Sequence, residues 1–302
     1  MLPVIEGFAA AVLETLSDAD LATVVAGLND LNETTETHQD LRGALTDTAV
    51  IGRVRAAVLR DVLGSKISPA AVRLAAYAAQ VSPAQDVPHA FHDLVVLTGA
   101  RQRDGVVPFE ILSLSQSRQR VRGYAEARYE NVTAADLDRT EDELFRAARI
   151  IESNDELRGI LVDRDITADA RLDIVRNLFA GKISDLSLGL LFFAVVGGRP
   201  RDIVGTLDDL VNHAAECRQW RVARVWSAKE LSSAEADEVR RSLAGIAGDQ
   251  VEIRVSVKSD LLAGIIVEVG DVRLDATARG RLSALRDSLV SSSTGSTFGK
   301  ND

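Results

Sequence analysis

The side chains with the most chemistry on offer are four histidines, His38, His89, His92 and His213, and the single cysteine, Cys217. His89 and His92 stand three positions apart, a spacing that puts both on one helix face, with Asp86 and Asp93 beside them. A metal site needs a third and usually a fourth ligand converging on one point. The sequence gives no sign of that convergence, so solvent-facing or partly buried histidines are expected, and no metal. Cys217 follows His213 by about one helical turn, the arrangement of a thiolate pair. No oxyanion donor or orienting group accompanies it, and a buried structural cysteine is expected instead. Gly295 to Lys300, GSTFGK, imitates a phosphate loop but is one residue short, has Asn301 in place of the metal-binding hydroxyl and opens no helix. Asn32 and Asn131 begin glycosylation sequons that a cytoplasmic chain leaves unmodified. The acid pairs Asp18/Asp20 and Asp208/Asp209 have no neighbour that would drive their pKa values apart. The expectation is a protein with no catalytic residues and no cofactor.

The elements that position these residues follow from composition. The 302 residues suffice for two or three domains, and 46% hydrophobic with 26% charged residues describes a globular chain rather than a disordered one. Aromatics at 4% and only six prolines favour helices packed through aliphatic ridges. A net charge of −10 argues against nucleic acid, which needs a concentrated cationic surface. One cysteine excludes an internal disulfide. The amino terminus, MLPVIEGFAAAVLETL, lacks the positive flank and unbroken apolar core of a signal peptide. The longest apolar run, Leu188 to Val196, falls short of the about 20 residues that cross a bilayer. Membrane association is therefore expected only indirectly, through a partner.

The chain also repeats itself. LRGALTD at 41–47 answers LRGILVD at 157–163, and SKIS at 65–68 answers GKIS at 181–184, both at a displacement of 116 positions. Carried without a gap from Ala19–Ser68 to Ala135–Ser184, that displacement gives 15 identities in 50 positions, against roughly three for unrelated sequences. Apolar positions correspond as well: Leu28 with Leu144, Val50 with Ile166, Leu59 with Val175, Leu63 with Phe179. A duplicated domain of about 100 residues is too long a unit for a solenoid.

Each copy reads as six helices. In the second these are Gln119–Glu130, a segment from the Thr133/Asp136 capping spacing to about Ile151, Asn154–Val162, a helix from Thr167 to Phe179, an apolar helix capped by Ser184, and Arg201–Gln219. Pro83 and Pro88 should weaken the fifth and sixth helices of the first copy. The pattern changes after Trp220. RVARVWSA (221–228) alternates, Ser232 with Glu235 opens a helix to about Ile246, and strands follow at 250–257, 261–270 and 272–275, with a helix near 277–290. The expected fold is mainly α: two tandem six-helix bundles followed by a small α/β domain of order β-α-β-β-β-α. Its domains are 1–105, a linker 106–118, 119–220 and 221–290, with a low-complexity tail at 291–302. Gly264, Gly270 and Gly280 punctuate the strands and the last helix start, while Arg279 and Arg281 flank Gly280.

Residues 119–290 resemble the delta subunit family of F-type ATP synthases, called the oligomycin-sensitivity-conferring protein in mitochondria. The resemblance is carried most strongly by LLAGIIVEVGDVRLDATARGRLSAL (261–285), where the VGD, LD and RGRL elements stand at the family spacing. Leu261, Leu262, Gly264, Gly270, Asp271, Asp275, Arg279, Gly280 and Arg281 belong to this stretch. Lys258-Ser259 replaces the family's Asp-Pro, Ala263 its first Gly and Ala276 a later one. GYAEAR (123–128), NDELRGILVDRDITADARLDIVRNLF (154–179), GGR (197–199) and VWSAKELS (225–232) follow the family pattern in order. Residues 1–104 look like a second copy of the amino-terminal domain, as in the delta portion of actinobacterial fusions of the b and delta subunits.

The resemblance implies a non-catalytic stator subunit of the peripheral stalk, peripheral at the cytoplasmic face of the plasma membrane. Its six-helix domain would receive the amphipathic amino-terminal tail of an alpha subunit in a groove between the first and fifth helices. Carried over, that groove falls on Tyr124, Ala125 and Arg128 on one side and Gly189, Phe192 and Phe193 on the other; the α/β domain would meet a separate b-type stalk subunit. The competing reading, permitted by composition alone, is a helical adaptor or scaffold unrelated to energy conversion.

Overall fold

The computed structural model describes residues 1–105, 109–163, 165–247, 251–258, 261, 263–270 and 272–277. The described residues are mainly helical, with a small sheet after the twelve helices of the repeats, as the sequence pattern suggests. The first repeat supplies α1 (Pro3–Glu14), α2 (Asp18–Thr37), α3 (Gln39–Thr46), α4 (Gly52–Leu63), α5 (Pro69–Val81) and α6 (Val87–Asp104). The second supplies α7 (Leu114–Tyr129), α8 (Ala134–Ser153), α9 (Asp155–Val162), α10 (Ala168–Phe179), α11 (Asp185–Val196) and α12 (Ile203–Arg221). The displacement of 116 positions holds at both ends of α2/α8, of α3/α9 and of α4/α10, and for the 3-10 turns Ala84–Asp86 and Pro200–Asp202. Leu28 and Leu144, Leu59 and Val175, Leu63 and Phe179 are buried in both copies. The duplicated core positions carry duplicated packing.

Local chemistry sets the ends. Ser68 and Ser184, equivalent in the repeats, accept from the backbone N–H of Ala71 and Ser187 and so cap the first turns of α5 and α11. Helix α7 starts five residues before Gln119, because Ser113 and Gln116 form a reciprocal capping box further upstream. Pro83 and Pro88 do not weaken the first copy: Pro83 precedes the 3-10 turn and Pro88 sits in the first turn of α6, where a missing amide costs nothing.

Two compact units are present, Met1–Glu130 with Thr140–His213, and Asn131–Arg139 with the chain from Ala214 onward. Most of both repeats lies in the first unit, joined through α1 and α7, the first helix of each. A Cβ on Gly7 would lie 1.7 Å from the Arg120 carbonyl oxygen, and one on Gly123 would lie 1.9 Å from that of Val4. Gly7 with Gly123 and Val4 with Arg120 are equivalent pairs, so the contact is two-fold in kind: each helix presents the same surface to the other.

In the second unit β1 (Val222–Ser227), α13 (Ser233–Ala247), β2 (Glu252–Val257), β3 (Ile265–Val269) and β4 (Val272–Asp275) make a sheet of order β2-β1-β3-β4. β1 and β2 are parallel and joined by α13, whereas β1–β3 and β3–β4 are antiparallel. Ala223, Val225, Leu243, Val251, Val267 and Val269 form the core. Gly270 at φ +57° makes the β3–β4 turn and lies against Trp220, leaving no room for a side chain. The helix expected near 277–290 and the tail at 291–302 fall outside the described residues, apart from Thr277.

Candidate helix-binding cleft

The first unit carries an apolar cleft of about 310 Å³, lined mostly by the second repeat. One wall is Tyr124 of α7; Gly189, Phe192, Phe193 and Val196 of α11 make another, with Leu172 of α10. Tyr124 and Phe193 stack with ring centroids 3.9 Å apart and planes 8° from parallel, and Phe109 meets Phe193 edge-on at 5.3 Å. The Arg176 guanidinium stands 5.4 Å from the Phe192 ring. Both stacked rings are buried, Tyr124 at 2% exposure and Phe193 at 6%, while Phe192 remains partly open. The stack is therefore floor, and Phe192 is the aromatic surface left for a ligand.

The Tyr124 hydroxyl donates to Glu14 at 2.6 Å. Burial, and then that hydrogen bond, push the phenol pKa well above its usual value. Gly189 is not forced by crowding: a Cβ there would meet Arg128 Nη2 at 3.6 Å and the Tyr124 hydroxyl at 3.9 Å, ordinary contacts. Its absence simply widens the cleft. Behind the aromatic cluster Arg120, 1% exposed, donates to the Gly197 carbonyl at 2.7 Å and the Glu110 carbonyl at 3.1 Å. It also pairs with Glu6 at 3.2 Å and lies 4.7 Å from the Phe109 ring. A buried guanidinium so fully engaged fixes the segment carrying Phe109 against α7 and α11.

Of the six residues assigned to the groove, Tyr124, Gly189, Phe192 and Phe193 line this one cleft. Arg128 lies beside Gly189, and Ala125 is fully buried and does not reach the surface. Sequence reasoning missed the wall contributed by the first repeat, Ala10 and Leu13 with Glu6 and Glu14 from α1 and Leu97 with Arg101 from α6. The signal was available: Gly7-Phe8 and Gly123-Tyr124 share the same displacement, upstream of where the repeat comparison began.

In the second unit Leu261 is partly exposed, and Gly264 takes φ +92° with a hypothetical Cβ 2.4 Å from the Ala276 carbonyl oxygen. Asp275 accepts from the Thr277 hydroxyl at 2.6 Å and its N–H at 2.9 Å, bonds that lower the carboxyl pKa. Leu262, Asp271, Arg279, Gly280 and Arg281 lie outside the described residues. A second, polar cleft of about 620 Å³ is lined by alternating charges, including Arg218, Arg224 and Arg254 with Asp138, Glu252 and Glu268. Arg218 pairs with Asp138 at 2.6 Å and Arg254 with Glu252 at 2.9 Å.

Among the described residues no group of three His, Cys, Asp or Glu side chains can hold a metal ion. His89 and His92 are exposed on α6. His213 is buried, with its ring 5.7 Å from that of Tyr129 and Nε2 3.9 Å from Glu126. Cys217 is partly exposed rather than buried, one turn beyond His213 on α12. No described helix is long and apolar enough to cross a membrane.

Residues 121–289 match the family described as ATP synthase delta (OSCP) subunit. The chain is 32% identical to ATP synthase subunit delta of Rhodococcus opacus (strain B4) and 34% identical to that of Nocardia farcinica (strain IFM 10152), each over 90% of this chain and 88% of the relative. The subunit of Thermobifida fusca (strain YX) is 26% identical over 92% and 93%. Such coverage takes in much of the first repeat, which these relatives therefore share.

Proposed function

The chain belongs to the ATP synthase delta (OSCP) subunit family, a structural subunit of the peripheral stalk, and on that footing we propose that its first unit grips the catalytic head while its α/β domain grips the stalk. The cleft beside Tyr124 and Phe192 takes the amphipathic amino-terminal tail of an alpha subunit. The α/β domain meets the b-type subunit, and the assembly sits at the cytoplasmic face of the plasma membrane. What supports this reading is the open apolar cleft walled by α1, α6, α10 and α11 over the Tyr124–Phe193 stack, with a glycine in its wall, the form of a helix-in-groove site.

The work of such a subunit is mechanical. Rotation of a central shaft drives nucleotide chemistry only when the head is held against the torque, which calls for slow-dissociating interfaces rather than catalytic groups. A nanomolar contact corresponds to about −12 kcal/mol, and two attachments on one chain reinforce each other through effective concentration. The test is removal of residues 221–302 from the assembled synthase. The expected result is ATP hydrolysis without proton pumping, with hydrolysis by the isolated head unchanged. Pumping that survives the truncation would refute the two-ended tether.

A further inference from the structure

The open cleft has a twin position on the first repeat, and the two differ. There Phe8 and Tyr77 stand for Tyr124 and Phe193, stacked in the same way at 3.8 Å and 7°. The room found in the second repeat is taken up. Arg73 occupies the place of Gly189 and is 2.6 Å from Glu130, the residue that follows α7. Glu126 of α7, equivalent to Ala10, accepts from the Tyr77 hydroxyl at 2.5 Å and pairs with Arg122 at 3.6 Å. Buried Ala76 stands where Phe192 opens the other cleft. A helix entering the twin would have to displace the Arg73 and Glu130 side chains and break the Tyr77–Glu126 hydrogen bond between the repeats.

The open cleft meets the opposite treatment. From the first repeat α1 offers it Ala10 and Leu13 and α6 offers Leu97 and Arg101, and at the rim stands the exposed carboxylate of Glu14, which accepts from the Tyr124 hydroxyl and forms no ion pair within 4 Å among the described residues. A basic residue on an incoming amphipathic helix would find its complement there.

We infer that the two repeats together hold one alpha-subunit tail helix: α1 of the first repeat forms a wall of the second repeat's cleft, and the first repeat's own cleft is sealed by α7. This rests on the tail-binding reading above and adds the stoichiometry and the duty of the first repeat.

The experiment is calorimetric titration of the full chain with a synthetic peptide spanning the amino-terminal helix of the cognate alpha subunit. One peptide per chain is expected. Ala10→Trp, which fills the cleft from the first repeat's side, should weaken binding at least tenfold, and Glu14→Lys at least severalfold, with circular dichroism and thermal melting confirming the fold of each. Two peptides per chain, or both folded variants binding within twofold of the wild type, would overturn the inference while leaving tail binding intact. No binding by the wild-type chain would overturn both.

Discussion

Gly7 and Gly123 hold the same position in the two repeats, and each admits the main chain of the other's helix. The space a methyl group needs is already occupied by a carbonyl oxygen, 1.7 Å away at Gly7 and 1.9 Å at Gly123. Neither obstacle is a flexible side chain that can turn aside. The joint between the repeats is therefore built from backbone, and the cleft that α1 helps to wall inherits its geometry from that joint.

Gly7→Ala and Gly123→Ala should each destabilise the first unit, by about 1–3 kcal/mol on the usual scale of overpacking. Because both strain the same crossing, the second substitution should cost less once the first has pushed the helices apart. Urea denaturation followed by far-ultraviolet circular dichroism on the two single variants and the double variant checks this; simple additivity would mean the crossings relax independently.

Tyr77 and Tyr124 should resist ionisation. Burial first, and then the Glu126 and Glu14 carboxylates through their charge and hydrogen bonds, raise both phenol pKa values in the folded protein. A phenol whose pKa is raised on folding contributes stability that is whole below the unfolded value near about 10 and declines as pH climbs above it. Phenolate absorbance from these two rings should thus emerge together with unfolding in alkali. Tyr77→Phe and Tyr124→Phe, each expected to cost about 0.5–1.5 kcal/mol at neutral pH, should blunt the alkaline loss. Early, non-cooperative ionisation of either ring would contradict its assigned environment.

Glu235 should titrate far below an ordinary glutamate. The Ser232 backbone N–H, the Lys229 ammonium and the Ser232 hydroxyl all favour its charged form and bring the carboxyl down to about 2. The sign follows: its support for α13 is complete above the unfolded carboxyl value and fades as pH falls toward the folded one. Carboxyl-carbon NMR should record a titration near the folded value that moves back upward in Ser232→Ala. An unchanged value in that variant would remove the capping box from the explanation.

Gly264→Ala should destabilise the α/β domain selectively. Gly264 is at φ +92°, outside the range comfortable for other residues, and a methyl group would collide with the Ala276 carbonyl. A strained residue of this kind costs on the order of 1–3 kcal/mol. Trp220 and Trp226 both belong to the second unit and are the chain's only tryptophans, so indole fluorescence isolates that unit's transition. The fluorescence midpoint should fall, with little change in the helical signal carried mostly by the first unit; equal shifts in both would mean that the units unfold together.

The sequence by itself determined the helices, their caps and the duplication, because each depends on residues close in the chain or on a register that survives copying. Ser68 and Ser184 announce the same helix start, and Leu59 and Val175 the same buried face. It also carried the family, through motifs spaced along 261–285. Where it faltered, at Pro88 and at the start of α7, a capping or first-turn effect shifted an end without changing an element. Only the tertiary structure decided which copy keeps an open cleft. Phe8/Tyr77 and Tyr124/Phe193 look interchangeable in sequence, and the difference lies in what reaches across: Glu126 of α7 and Glu130 just after it toward one, Ala10 and Leu13 from α1 toward the other. Such contacts join residues dozens of positions apart, and no local periodicity encodes them.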